Sequence, residues 1–143
     1  MEIGTVNNKK KYKFLFIDDS PIDNKYLSLL IRIKKLPVQP HFECNAGKAI
    51  DYLKSCDTTQ FPKVIFVDIN MPLMNGFEFV ESYIERKEFK ELGKDTLLYI
   101  ASSSIQAADR DKAAQHPRIA AFIEKPFNIK QFKEKVVPRL EKF

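Results

Sequence analysis

The sequence KVIFVDINMPLMNG, residues 63–76, decides the fold that we predict for this chain. Four consecutive apolar residues, Val64 to Val67, are typical of a strand that is buried on both faces of a parallel sheet. The strand ends on a carboxylate, Asp68, and turn-forming residues follow it. Ligands of open α/β sheets bind outside the carboxyl ends of the strands. Asp68 is therefore either a solvated residue at a strand end or part of a binding site.

The same alternation of a strand and a helix recurs along the chain. Apolar runs predict five strands, at residues 12–17, 38–44, 64–67, 96–101 and 119–124. Apolar residues at helical spacing predict five helices, which begin near residues 21, 46, 76, 105 and 129. This order predicts an α/β, single-domain, doubly wound (βα)5 flavodoxin-like fold with a parallel five-stranded sheet in the order 2-1-3-4-5.

Three of these helices carry more specific expectations. The first is predicted from one apolar stripe, made by Ile22, Tyr26, Leu29, Leu30 and Ile33. The charged stretch 85–94 is expected to be the solvated end of the third helix and a loop. Pro138 is expected to kink or shorten the fifth helix.

Length and composition bound the class of protein. The 143 residues fit one domain, with residues 1–12 predicted as a flexible N-terminal arm and residues 13–143 as the domain. No apolar run approaches the roughly 20 residues of a membrane span, and the N-terminus lacks an apolar signal core. We therefore expect a cytoplasmic protein with no membrane partner. The net charge of +5 comes from scattered basic residues, so a direct nucleic-acid partner is not expected.

Polar side chains stand at the carboxyl ends of four predicted strands. Asp18 and Asp19 follow the first strand, Asp68 the third, Ser102 the fourth and Lys125 the fifth. In the predicted strand order the first and third strands are neighbours, so three carboxylates converge and repel one another. Mg²⁺ relieves such repulsion, because it prefers oxygen ligands and is usually held by one or two carboxylates together with phosphate. The lysine and the hydroxyl add donors that suit phosphoryl oxygens.

Four motifs together resemble a response-regulator receiver domain of two-component signalling. They are DDS at residues 18–20, DINMPLMNG at 68–76, SSS at 102–104 and EKPF at 124–127. The resemblance extends from about Lys13 to Leu140. Within the family, the chain resembles the stand-alone, chemotaxis-regulator-like members, because the sequence ends after the fifth helix without an output domain. Serine stands at 102 where the family more often has threonine, and the hydroxyl is kept.

The resemblance implies a role for each site residue. Asp68 would be the phosphoacceptor, forming an aspartyl phosphate. The metal set would comprise Asp18, Asp19, Asp68 and the backbone carbonyl of Asn70. Lys125 and Ser102 would contact the phosphoryl group, and Ser102 and Phe122 would act as switch residues. Lysine is usually a surface residue, but the place of Lys125 at a strand end before Pro126 favours the functional role. For Phe122, the sequence alone does not separate a switch residue from a core aromatic.

The expected function is that of a phosphorylation-controlled signalling module of a two-component or phosphorelay system. Its phosphodonor would be a sensor histidine kinase or a histidine phosphotransfer protein, and its target an unidentified downstream protein. It would be a phosphoacceptor rather than an enzyme, while assisting its own phosphorylation and dephosphorylation. The alternative is a metal-dependent phosphohydrolase with an aspartyl nucleophile. A lesser alternative is a receiver that binds its partner constitutively, against which the complete acid set argues.

Two physical expectations follow from these assignments. Removing one acid should relieve repulsion, so Asp→Ala variants are expected to stabilise the metal-free protein, with Asp19→Ala weakening Mg²⁺ binding more than Asp18→Ala. The fourth predicted helix has only alanines on its apolar stripe, so it is expected to be weakly anchored. We therefore expect the fourth helix, the fifth strand and the fifth helix to form the partner-binding face.

Overall fold

Five parallel strands form one sheet in the order β2-β1-β3-β4-β5. In the computed structural model, which describes residues 10–103 and 106–143, the strands are β1 (Tyr12–Ile17), β2 (Val38–Glu43), β3 (Val64–Asp68), β4 (Leu97–Ser102) and β5 (Ile119–Glu124). The fold class and the strand order predicted from the sequence are confirmed.

Helices follow every strand. They are α1 (Pro21–Ile33), α2 (Ala46–Ser55), α3 (Gly76–Glu85), α4 (Lys87–Leu92), α5 (Ala107–Gln115), α6 (Ile129–Gln131), a π-helical segment (Phe132–Val136) and α7 (Val137–Leu140). The capping side chains of Ser20, Asn45, Asn75 and Asn128 each accept a hydrogen bond from a backbone N–H in the first turn. The predicted start of the fourth helix at Ile105 lies outside the described residues, as does Ser104.

The core has two halves because successive strand residues point to opposite faces of the sheet. Leu15, Ile65 and Leu98 pack on one face with residues of α2, α3 and α5. Phe14, Phe66 and Tyr99 pack on the other face with residues of α1 and of the C-terminal helical run. Strands β3 and β4 are buried at every residue, as expected for the centre of a doubly wound sheet.

The apolar stripe that predicted α1 points mostly to solvent. Ile22, Tyr26, Leu29 and Ile33 are exposed, and Ile22 is 79% accessible. The helix is instead anchored through Ile31, which is its one buried residue, with help from Leu27 and Leu30. Periodicity therefore predicted the helix correctly, but it did not show which face the core covers.

The charged stretch after α3 is not only a loop, and this expectation is wrong. It contains the short helix α4, whose Phe89 is 1% exposed. The ring of Phe89 lies 5.2 Å from that of Tyr83 and 5.8 Å from that of Phe61. One aromatic residue among charged neighbours anchors the turn, and a single residue gives no periodic pattern in the sequence.

Pro138 does not end the C-terminal helical run, but the run is irregular immediately before it. The π-helical segment Phe132–Val136 comes directly before α7, in which Pro138 occupies the first turn. Proline lacks an N–H and its ring clashes with the carbonyl four residues earlier, so a local widening of the helix accommodates it. Val136, Val137 and Leu140 remain buried on both sides of the irregularity.

The N-terminal boundary is visible only in part. Residues 1–9, most of the predicted arm at 1–12, lie outside the described residues. Tyr12 is buried and begins β1. Among the described helices, none is long and apolar enough to cross a membrane.

Gly76 allows α3 to begin close to the end of β3. Its N–H donates to the carbonyl of Ile69 at 3.0 Å. An added Cβ at this position would lie 2.6 Å from the backbone oxygen of Asp68 and 3.0 Å from the Cα of Ile69. Only a residue without a side chain fits there, so Gly76 fixes the backbone immediately after Asp68.

We predict that Gly76→Ala destabilises the protein by about 1–3 kcal/mol, because the methyl group must displace backbone atoms. Urea unfolding measures the change. Gly47→Ala is the matched control, since its Cβ would make only an ordinary 3.4 Å contact with Asn45 Oδ1 in α2. The control should be neutral or stabilising by up to about 1 kcal/mol, because alanine favours a helix. Equal effects of the two substitutions would contradict the proposed close approach.

Candidate functional site

The strand-end residues predicted from the sequence meet at the carboxyl edge of the sheet. Asp18 directly follows β1, Asp68 and Ser102 are the last residues of β3 and β4, and Lys125 directly follows β5. Because β1 and β3 are neighbours, the two acids face each other across adjacent strand ends. The backbone N–H of Lys125 donates to the carbonyl of Ser102 at 2.9 Å, which ties the ends of β4 and β5 together.

Three carboxylates form a compact acidic cluster at this edge. Asp18, Asp19 and Asp68 each contribute an oxygen, and these oxygens lie within 4.8 Å of one another. Asp18 and Asp68 are buried, whereas Asp19 is exposed. An all-oxygen set that is open to solvent on one side suits Mg²⁺, which keeps several water ligands. The chemistry of the donor set therefore fits a magnesium ion.

Lys125 places its ammonium group among three carboxylates. Its Nζ donates to Asp18 Oδ2, lies 3.0 Å from Asp23 Oδ2, and lies 3.4 Å from Asp68 Oδ1. The Lys125 side chain is 16% exposed, so these interactions are screened little by solvent. The surface interpretation of this lysine is therefore excluded by its position.

The electrostatics of the site are set by burial and by these close charges. Burial raises the pKa of Asp68 from 3.8 to about 6, opposed by the Lys125 ammonium and assisted by the charges of Asp18 and Asp19. Burial alone would lower the pKa of Lys125, but the hydrogen bond to Asp18 and the neighbouring carboxylates outweigh it, so the pKa lies above 10.5. Asp68 thus carries an unfavourable negative charge, which a bound cation would stabilise.

Asp18 is held in place by the chain that follows it. Its Oδ1 accepts a hydrogen bond from the backbone N–H of Ser20 at 2.9 Å. Its backbone carbonyl accepts from the side-chain amide of Asn24 at 3.0 Å, and its N–H donates to the carbonyl of Glu43 at 3.1 Å. The orientation of this carboxylate is therefore fixed before any ligand binds.

The remaining predicted site residues lie around the cluster. Asn70 is exposed in the loop after β3, two residues from Asp68. Ser102 is fully buried at the end of β4. Phe122, in β5, is half-buried and packs against the core half that contains α3 and α5. Its ring is therefore neither a fully buried anchor nor a free surface residue.

Contacts to Phe122 come from residues that the sequence did not single out. The guanidinium carbon of Arg110 in α5 lies 5.5 Å from the centre of the Phe122 ring. Arg110 also pairs with Glu124 at 3.2 Å, and Lys135 Nζ donates to the carbonyl of Phe122 at 3.0 Å. These contacts join α5, β5 and the C-terminal helical run at the predicted switch residue.

Asp23 is the main site residue that sequence reasoning missed. Its place in the sequence indicates only an acid in the first turn of α1, which interacts favourably with the helix dipole. Its hydrogen-bond partner Lys125 is 102 residues further along the chain. No local pattern carries such a contact, so only the folded chain reveals it.

A cleft of about 270 Å³ opens beside the acidic cluster. Its walls are mainly apolar, and they include Phe16, Ile22, Phe66, Asp68, Lys125 and Phe127. The hydroxyl of Tyr26 in α1 donates to the carbonyl of Phe127 at 2.9 Å and spans one side of it. Asp68 is therefore accessible from a concave surface rather than sealed in the core.

Residues 14–137 match the family model of the response regulator receiver domain. The chain belongs to this family. Receiver domains are modules of two-component and phosphorelay signalling, and this chain is one of them. Members generally bind Mg²⁺ at a cluster of aspartates, and this chain has such a cluster.

Curated relatives include receiver regions of much longer proteins. The chain is 29% identical over 117 residues to hybrid signal transduction histidine kinase C of Dictyostelium discoideum, covering 80% of this chain. It is 28% identical over 122 residues to the sensor histidine kinase CheAY of Helicobacter pylori, covering 85% of this chain. The matches span only 9% and 14% of the lengths of those two proteins.

Solved structures of the family share the fold over nearly its full extent. A two-component response regulator from Cytophaga hutchinsonii superposes with a TM-score of 0.78 at 24% identity, covering 92% of this chain and 99% of that one. A response regulator receiver protein from Dyadobacter fermentans gives a TM-score of 0.74 at 28% identity, covering 90% and 97%. The fold of the receiver domain is thus shared by proteins of nearly the same length.

We predict opposite effects on stability for the two adjacent acids of the cluster. Asp18→Ala should destabilise the metal-free protein by about 1–3 kcal/mol, because Lys125 and the Ser20 N–H each lose a partner. Asp19→Ala removes an exposed charge from a repulsive cluster, so it should stabilise by a few tenths of a kcal/mol. The sequence predicted that an Asp→Ala change stabilises the metal-free protein. The contacts of Asp18 restrict this prediction to Asp19→Ala.

Urea unfolding at neutral pH in chelator, without Mg²⁺, measures both effects. Asp19→Asn serves as the control, since it removes the same charge while nearly preserving the shape of the side chain. Equal stabilisation by Asp18→Ala and Asp19→Ala would mean that repulsion outweighs the hydrogen bonds of Asp18.

Proposed function

We propose that this receiver domain accepts a phosphoryl group on Asp68, with Mg²⁺, and that phosphorylation alters a partner-binding face. The observation that carries the proposal is the position of Lys125, whose ammonium lies among carboxylates at the strand edge. A buried cation next to a buried acid provides a ready partner for added phosphoryl oxygens. Asp68 is the acid at the centre of this arrangement, and it faces a cleft that admits a donor.

The proposed reaction is an in-line displacement at phosphorus. A carboxylate oxygen of Asp68 forms a bond to phosphorus while the bond from phosphorus to the donor oxygen or nitrogen breaks, and the electron pair leaves with the donor. Lys125 and Ser102, which lie at the ends of β5 and β4 at this edge, would contact the transferred oxygens. When bound, Mg²⁺ supplies neutralisation of the charge on those oxygens. Asp18, Asp19, Asp68 and the backbone carbonyl of Asn70 would hold it.

A signalling module fits the site better than a phosphohydrolase. The adjacent acids Asp18 and Asp19 follow β1, whereas the single acid Asp68 ends β3. Aspartyl phosphohydrolases on similar sheets resemble a pattern with the nucleophile and a second acid two residues apart after the first strand. Over residues 10–103 and 106–143, no inserted unit covers the carboxyl edge of the sheet to enclose a substrate. We therefore infer stoichiometric phosphorylation rather than turnover of organic phosphates, with the domain assisting its own phosphorylation and dephosphorylation.

We propose that the phosphodonor is a sensor histidine kinase or a histidine phosphotransfer protein. The curated relatives are named as histidine kinases, which supports a donor of this class. The exposed apolar stripe of α1 supports donor docking beside the cleft, because contiguous apolar surface marks interaction sites. The two free cysteines fit the reducing cytoplasm, where we place the protein.

We propose that the output face comprises α5, β5 and the C-terminal helical run. Helix α5 buries a single residue, Ala113, so little apolar contact holds it against the sheet. Weakly anchored elements move at low cost, and switching elements are drawn from them. Ser102 and Phe122 would couple this face to Asp68, since Ser102 ends β4 at the site and Phe122 lies in β5 beneath Arg110. The signal would pass to an unidentified downstream protein.

We predict that acetyl phosphate adds one phosphoryl group to the wild-type protein in the presence of Mg²⁺ and none in chelator. Asp68→Asn should abolish the addition, because the amide is not a nucleophile. Intact-mass measurement detects the added group. Asp51→Asn, an exposed acid of α2, is the control and should label like the wild type. Full labelling of Asp68→Asn would refute the assignment of the acceptor.

We predict that beryllofluoride with Mg²⁺ changes amide hydrogen exchange mainly within residues 106–115 and 120–125. Phosphoryl-like oxygens at Asp68 should draw Lys125 and Ser102 toward them, and the weakly held α5 should respond. Asp68→Asn treated in the same way is the control and should show no change. Changes confined to α1 and α2, with these two segments silent, would exclude the proposed output face.

A further inference from the structure

The ammonium group of Lys125 has as many carboxylate partners as it has N–H donors. A lysine carries three donors and no acceptor. The three partners come from three elements, with Asp18 after β1, Asp23 in the first turn of α1 and Asp68 at the end of β3. Asp23 Oδ2 lies 3.0 Å from Nζ and Asp68 Oδ1 lies 3.4 Å away. The ammonium is therefore held closer to the α1 side than to Asp68.

Asp23 differs from Asp18 and Asp68, the other two partners of Lys125, because it lies outside the candidate metal cluster. It is not a member of the carboxylate cluster that fits a metal, which comprises Asp18, Asp19 and Asp68. Its side chain is 48% exposed, whereas that of Lys125 is 16% exposed. Its carboxylate is directed at the lysine, with a hydrogen bond to Nζ. Asp23 thus adds a negative charge next to the site without supplying a ligand to the cluster.

Phosphorylation changes two of the three partners of Lys125 and leaves the third as it was. Under the proposed function, Asp18 would share its charge with Mg²⁺ as well as with Lys125, and Asp68 would become an acyl phosphate. Asp23 is then the remaining carboxylate that competes with the phosphoryl oxygens for the ammonium. A competing acid near added negative charge weakens the phosphorylated state, and the same acid favours a bound divalent cation.

We propose that Asp23 is a positioning residue that restrains Lys125, weakening the hold of the site on a phosphoryl group and strengthening its hold on Mg²⁺. This inference rests on the proposed function of Asp68. A bland alternative is that Asp23 only stabilises the N-terminus of α1 through the helix dipole. That alternative predicts a small change in stability and no change in either affinity. The restraint instead predicts two affinity changes of opposite sign.

The test compares Asp23→Asn with wild type and with Asp51→Asn, which removes the same charge from the exposed face of α2. Calorimetry measures Mg²⁺ affinity, and fluorine NMR measures beryllofluoride affinity at saturating Mg²⁺. Asp23→Asn should bind beryllofluoride about two- to fivefold more tightly and Mg²⁺ more weakly by a similar factor, the size expected of a partly exposed ion pair. Asp51→Asn should match the wild type. Higher salt should shrink both differences.

A double-mutant cycle separates the restraint of Lys125 from a general field effect. In a Lys125→Gln background, Asp23→Asn should no longer tighten beryllofluoride binding. An unchanged effect in that background would overturn the restraint, as would identical affinities of Asp23→Asn and Asp51→Asn. Failure of the proposed function is distinguishable, since the wild type itself would then bind neither Mg²⁺ nor beryllofluoride at this site.

Discussion

Competition among several carboxylates for one ammonium group is the interaction on which this site depends. Asp18 and Asp68 are buried, and a negative charge at a buried position is stabilised by a nearby cation. Lys125 supplies one positive charge, which cannot neutralise both of these acids together with Asp19 and Asp23. Without a metal ion, the site therefore carries excess negative charge at the mouth of a cleft. That excess favours a divalent cation. Under the proposed function, the cation would also offset the charge of an added phosphoryl group.

The sheet holds these opposing charges at close range because its centre is rigid. Strand β3 is buried at every residue, and Gly76 brings the start of α3 against the backbone of Asp68. Repulsion at the strand ends therefore cannot relax by moving the acids apart. The adjustable parts lie to one side, where α5 buries only Ala113. Under the proposed function, a change of charge at the site would act on this fixed frame, and the weakly anchored helix α5 would respond to it.

Local patterns predicted the fold and most of the site, and the misses share one cause. Apolar runs predicted the strands, apolar residues at helical spacing predicted the helices, and the strand ends predicted the acids and the lysine of the site. Exposure of the α1 stripe, burial of Phe89 and the contact from Asp23 to Lys125 all depend on which distant segment packs opposite. Periodicity shows that a helix has two faces, but only tertiary packing selects the face that is covered. Charge pairing across more than a hundred residues leaves no trace in a local window.

The end of β5 joins the chemistry of the site to the proposed output face. Lys125 follows Glu124 directly, and Glu124 pairs with Arg110 of α5 while its backbone exchanges two hydrogen bonds with the side chain of Gln131. A shift of Lys125 toward a phosphoryl group would therefore strain contacts to α5 and α6 together. A partly exposed pair such as Arg110 and Glu124 contributes at most about 1 kcal/mol, whereas charge-assisted hydrogen bonds to a phosphoryl group are stronger. A ligand shifts an equilibrium between two conformations only by the difference in its affinity for them. Because the contacts that hold α5 are weak, only a small part of the affinity for the phosphoryl group would be needed to move this helix.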